Sequence, residues 1–190
     1  MIARCLDLTA VVDRVGATYD TERTQGTMNA WGNSVPAEEL PFGGRVVVGG
    51  VPYALVDKPP ATPSRPDHVE ALGQRLPVDP PGRRAEAMAV LAGGELGPQE
   101  LSLRVHLDGG IEVLTLTVPG WATRPEVPVA ADELRFRHLH YPGDYGLALL
   151  LPVLWSRVVP LPGVTVTAVE LLPNPLVHVF AVTLLTGADS

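Results

Sequence analysis

The chain has 190 residues, a formal net charge of -7, 46 % hydrophobic residues and 18 % charged ones. That length supports one domain, residues 1–190, with a core that folds without staples, and the composition excludes a disordered chain. No basic run longer than Arg83-Arg84 occurs, which excludes nucleic acid as a partner, because gripping phosphates needs a concentrated basic patch.

Read in chain order, "RCLDLTAVV" (4–12) predicts a first strand. It holds the single Cys5, so an internal disulfide and a multi-cysteine zinc site are both excluded. The N-terminal stretch is broken early by Asp7 and Asp13 and shows no long apolar run, which gives the expectation of a cytoplasmic protein, or of a secreted one if the chain is a fragment of a larger protein. Residues 13–41 are polar and rich in Gly, Asn and Thr, a long loop of the kind that wraps an end of a sheet or carries function. "GRVVVGGVPYALV" predicts a hairpin turning at Gly49-Gly50. "DKPPATPSRPDH" is barred from a central strand by its prolines and is expected to be the most exposed, mobile loop.

"AEAMAVLAGG" has helical propensity. Its shortness, its Gly-Gly end and its strand-like flanks predict a strand instead. "ELSLRVHLDGGIEVLTLTV" alternates apolar and polar residues around Asp108-Gly109-Gly110, the mark of a hairpin with one buried face. "DELRFRHLHY" alternates again, and "GLALLLPVLW", "GVTVTAVELL" and "LVHVFAVTLL" complete the series. "GLALLLPVLW" is too short to cross a bilayer, so no membrane partner is expected. Roughly ten to twelve short strands at this spacing predict an all-β, antiparallel, two-sheet sandwich of jelly-roll type.

Six segments in order, "LDLTAVV" (6–12), "SVPAEELP" (34–41), "GGVPYAL" (49–55), "PDHVEALGQRLPV" (66–78), "VHLDGG" (105–110) and "LPNPLVHVFAVTL" (172–184), span nearly the whole chain. Together they resemble the galactose-binding-like β-sandwich domains that stand beside catalytic domains in bacterial glycoside hydrolases. The resemblance implies a galactose-binding-like sandwich and a non-catalytic, carbohydrate-associated role.

Sugar recognition needs flat aromatic faces plus a few polar anchors. The candidate ligand-binding residues are Trp31 between Asn29 and Asn33, Trp121 after a strand, and Arg137, Tyr141 and Asp144 around a turn that also holds Tyr145. Trp155, in an apolar run, is expected in the core. The partner is then a carbohydrate or other small molecule, and this reading needs no cofactor. Glu38-Glu39 and Asp132-Glu133 cannot form a glycosidase pair as neighbours and are expected to be solvated turn acids. Asp13, Asp20 and Glu22 could supply oxygens to a structural calcium, without EF-hand spacing.

His138 and His140, two apart on an expected strand, share a face at roughly 7 Å. One alternative reads them, with Asp144 and His178, as a cupin-like metal set. Another reads them as acid–base catalysts of a small cyclase or isomerase, acting in a cavity between the sheets.

Overall fold

The computed structural model describes residues 2–78, 84–142, 144–145 and 149–187, the side chains of residues 144 and 145 excepted. In chain order the strands are β1 (Ile2–Cys5), β2 (Ala17–Thr18), β3 (Val35–Pro36), β4 (Arg45–Val48), β5 (Val51–Ala54), β6 (Val69–Ala71), β7 (Arg75–Pro77), β8 (Ala85–Gly94), β9 (Gln99–Leu107), β10 (Gly110–Val118), β11 (Ala122–Thr123), β12 (Glu133–Arg135), β13 (His140–Tyr141), β14 (Asp144–Tyr145), β15 (Leu151–Val164), β16 (Val166–Leu171) and β17 (Asn174–Thr186). A single 3-10 turn, Ala37–Glu39, is the only helical element among the described residues.

Two sheets face each other. The larger runs β1-β17-β8-β15-β11, with β6 on β17 and β12 on β15; the smaller runs β10-β9-β16-β7. Every pairing within these two sheets is antiparallel. Between them lies a core in which Met88, Val90 and Ala92 of β8 and Val177, Val179 and Val182 of β17 meet Leu101, Leu103 and Val105 of β9 and Val169 and Leu171 of β16. Side chains from both sheets pack together in this core.

A second cluster covers the other face of the larger sheet. Ala89 and Leu91 of β8, Leu154 of β15 and Phe180 of β17 are buried under Met28, Val35, Tyr53 and Leu55 of the early chain and Trp121, Phe136 and Leu139 of the later chain. The central strand β8 is thus buried on both faces, which is why it reads as a near-continuous apolar run. The small side chains of Ala87 and Ala89 let the covering layer approach the sheet. The same alanines produce the helical propensity.

The β4–β5 hairpin belongs to this outer layer. Gly49 and Gly50 adopt φ of 60° and 77° at its turn, as a two-residue primed turn requires. The Tyr53 hydroxyl lies 2.6 Å from Ser156 Oγ and pins the hairpin to β15. Burial pushes that phenol up to about 12.

Several expected elements take a different course. The first strand ends at Cys5, because Asp7 Oδ1 captures the Thr9 N–H and Val11 and Val12 turn back onto Leu8 O. The strand over 132–141 stops at Arg135: Phe136 N–H donates to Pro152 O, and a proline has no N–H to return. The proline-rich segment is exposed at Ala61, Thr62 and Ser64, but Lys58, Asp67 and His68 at its ends are fully buried. Trp155 is only half-buried, its indole N–H donating to Gly120 O. Glu133 is buried against Arg135, and Asp132 pairs with Arg157, so neither is a free solvated acid.

Candidate functional site: an aromatic cavity flanked by two histidine groups

At one end of the larger sheet a cavity of about 520 Å³ opens beneath the loop of residues 28–33. Its floor is backbone, formed where Gly94, at the end of β8, meets Gly120 in a parallel bridge. Trp121 is anchored there by its N–H on Gly94 O and by Val153 N–H on its own carbonyl. Gly93 is compulsory beneath it, since a Cβ would lie 2.6 Å from Trp121 Cβ. Leu139, Tyr141 and Leu150 form further wall.

The overhanging loop "MNAWGN" is braced by its own hydrogen bonds. Met28 is its fully buried anchor. Asn29 Oδ1 accepts from the N–H groups of Trp31 and Asn33, each at 3.1 Å. Gly32 takes a φ of 77° to close the turn. Trp31 is left at the tip, 71 % exposed beside the cavity. Asn33 is 6 % exposed, and its Oδ1 has no hydrogen-bond partner. Glu95 adds a carboxylate to the lining.

Five of the seven predicted ligand-binding residues, Asn29, Trp31, Asn33, Trp121 and Tyr141, therefore meet at one cavity. Arg137 does not join them; its exposed guanidinium pairs with Glu39 at 3.4 Å. The Asp144 side chain, assigned both to ligand binding and to the metal set, lies outside the described residues, as does that of Tyr145.

Behind the cavity wall, His138 and His140 face away from the Leu139 and Tyr141 side chains that line it. They do not sit together on one strand: His138 is in irregular chain and only His140 belongs to β13. Their rings still meet, Nε2 to Nε2 at 3.1 Å. Asp20 Oδ1 approaches His140 Nε2 at 3.0 Å. Among the described residues, Asp20, His138 and His140 form the one group of three potential metal donors. Burial first, then the neighbouring His138, lowers the His140 pKa; Asp20 and Glu38 oppose that shift.

His178 is not part of this group. It is paired with His68 in a separate buried chain of contacts. Asp67 accepts four hydrogen bonds, from the N–H groups of Gly16 and Ala17, from Lys58 Nζ at 2.7 Å and from His68 Nδ1 at 3.2 Å. His68 Nε2 lies 3.0 Å from His178 Nδ1. With the Asp67 carboxylate accepting from His68 Nδ1, His68 Nε2 must accept, so His178 donates from Nδ1 and keeps its lone pair on the buried Nε2. That Nε2 has no hydrogen-bond partner and lies 4.0 Å from Glu95 Oε2, at the cavity lining. Burial, with smaller contributions from His68 and Arg14, pushes His178 down to about 3.

The three acids considered for calcium point to different partners. Asp13 caps Glu70 N, Glu22 binds Thr24, and Asp20 faces His140. Glu95, Lys58 and Asp67 escape sequence reasoning, as does the pairing of Asp20 with the histidines. Glu95 carries no pattern beyond its place after Gly93-Gly94. Asp20 is separated from His140 by 120 positions. Lys58 and Asp67 stand in a segment whose prolines signal exposure, although "PDH" already set an acid beside a histidine.

A family model described as the AziU2-like beta-sandwich domain matches residues 4–188. No curated protein matches the chain.

Proposed function

The chain belongs to the AziU2-like β-sandwich domain family, and from that premise, which supplies a fold and no activity, we propose that the domain binds a small amphipathic ring compound in the aromatic cavity. One observation carries the reading: Trp31, Trp121 and Tyr141 meet Asn29 and Asn33 at a single cavity of about 520 Å³, with Trp31 71 % exposed beside it. The three aromatic side chains supply flat apolar surface for the body of a ring. The sandwich and the resemblance to carbohydrate-binding domains make a sugar the first class to test. The side-chain anchors are few, Asn29, Asn33 and Glu95, and they suit a ring with one or two polar groups better than one hydroxylated all round.

Tryptophan fluorescence titration against monosaccharides, and against aromatic and saturated rings bearing a single hydroxyl or amide, tests this. At least one class is expected to bind, and Trp31→Ala to weaken it by about tenfold, ~1.4 kcal/mol. Binding should persist in EDTA, since the cavity lining needs no ion. No binder at ~1 mM, or an affinity indifferent to Trp31→Ala, would overturn the reading.

A second reading rests on the buried, unpartnered His178 Nε2, 4.0 Å from Oε2 of the cavity-lining Glu95. The domain would then turn its ligand over by acid–base chemistry, as a cyclase or isomerase does, with Glu95 and His178 in place of His138 and His140. Here NMR would show conversion of the bound ligand, and Glu95→Gln would stop conversion while leaving binding within a few-fold.

A further inference from the structure

The group behind the cavity wall has the geometry of an ion site. The separations between His140 Nε2 and His138 Nε2, between His140 Nε2 and Asp20 Oδ1, and between His138 Nε2 and Asp20 Oδ1 are 3.1, 3.0 and 4.0 Å. A tetrahedral ion with bonds of about 2.0–2.1 Å sets its ligand atoms about 3.3 Å apart. Two sides of the triangle agree within a few tenths of an ångström, and the third closes with a small rotation of the half-exposed Asp20.

The second nitrogen of His140 is placed as a ligating histidine requires, and that of His138 faces a carboxylate beyond hydrogen-bond distance. A metal-bound imidazole uses its second N–H on an oxygen that fixes ring and tautomer. His140 Nδ1 is 2.9 Å from Thr18 Oγ1, itself 2.6 Å from Ser34 Oγ. His138 Nδ1 is 3.6 Å from Glu39 Oε1. Glu38 Oε1 accepts the Asp20 N–H at 2.7 Å and fixes the acid's backbone. Both Nε2 lone pairs and the carboxylate can then converge on one centre. The His140 side chain is fully buried, while those of His138 and Asp20 are 27 % and 43 % exposed, so one side of the triangle is open to water.

We propose that Asp20, His138 and His140 supply three ligands to a divalent cation of the zinc class. The site is distinct from the aromatic cavity and does not depend on what that cavity binds. Its donors are two imidazoles and one carboxylate, the set that zinc holds when one coordination position is kept for water or substrate. Its outer partners, Thr18, Ser34 and Glu39, come from the early chain, so the ion would tie residues 18–39 to residues 138–140.

The whole chain, stripped with chelator, would be titrated with Zn²⁺ by calorimetry and with Co²⁺ by visible absorption. The expected result is one equivalent bound, with the intense visible bands of four-coordinate cobalt. Asp20→Asn and His138→Gln, both at partly exposed positions, should weaken binding at least about tenfold and leave the metal-free far-ultraviolet spectrum unchanged. His106→Gln, on the smaller sheet, should bind like the parent. Absence of binding at ~1 mM metal, or full affinity in both ligand variants, would overturn the proposal. So would loss of binding in His106→Gln, because the ion would then sit elsewhere.

Discussion

At the residue scale the strongest commitments are buried ionisable groups joined across long stretches of chain. Lys58 and Asp67 are both fully buried, and Asp67 also holds Gly16, Ala17 and His68. Removing one partner of such a pair strands the other charge. Lys58→Met is therefore expected to cost about 3–5 kcal/mol in urea denaturation. His178 links pH to stability. Its folded value lies near 3 against an ordinary 6.5, so below pH 6.5 the unfolded chain binds a proton that the folded one refuses. Stability is complete above that pH and falls as acid is added, by up to about 1.4 kcal/mol per unit. Between pH 7 and pH 5 the parent should lose about 2 kcal/mol through this group. His178→Asn keeps a donor toward His68 Nε2 and should flatten the slope; equal slopes in both proteins would remove His178 as its cause. Little of this is readable from sequence. The His68–His178 contact spans 110 positions and the Asp20–His140 contact 120, and no local pattern marks a partner that far away.

At the scale of elements the sequence was more informative. The hairpins at Gly49-Gly50 and Asp108-Gly109 form as their turn residues dictate. Ala85–Gly94 is a strand despite its alanines, because tertiary burial on two faces outweighs local propensity. Reading failed where a side chain or a proline interrupts a pattern that otherwise continues. Asp7 ends β1 and Pro152 ends the pairing of β12, and alternation cannot show either event. The junction of β8 with the loop holding Trp121 allows a direct test. Gly93→Ala places a methyl group against Trp121, with an expected cost of about 1–3 kcal/mol from overpacking and a shifted tryptophan emission. A variant matching the parent in both thermal midpoint and emission would show that Trp121 is not held there.

At the scale of the whole molecule, the early polar chain is a covering layer over the larger sheet. Its length and its Gly, Asn and Thr content announced a loop. Its role as a second hydrophobic interface rests on single anchors, Ala17, Met28, Val35 and Leu40, too sparse for periodicity to reveal. Five cavity residues could be named in advance because aromatic and amide side chains in loops advertise themselves. Glu95 could not, because a lone acid in a turn looks like any other, and Asp20, named only for calcium, gave no sign of its place beside His138 and His140. The short run His138–Tyr141 separates the two candidate sites, turning two side chains toward the cavity and two toward Asp20. A partition only four residues thick cannot be repositioned on one side alone. If both sites fill, their affinities are thermodynamically linked: whatever factor zinc adds to or takes from the dissociation constant of the ring compound, that compound must impose on zinc in return. The sign of that common factor would tell whether one occupant recruits the other or displaces it.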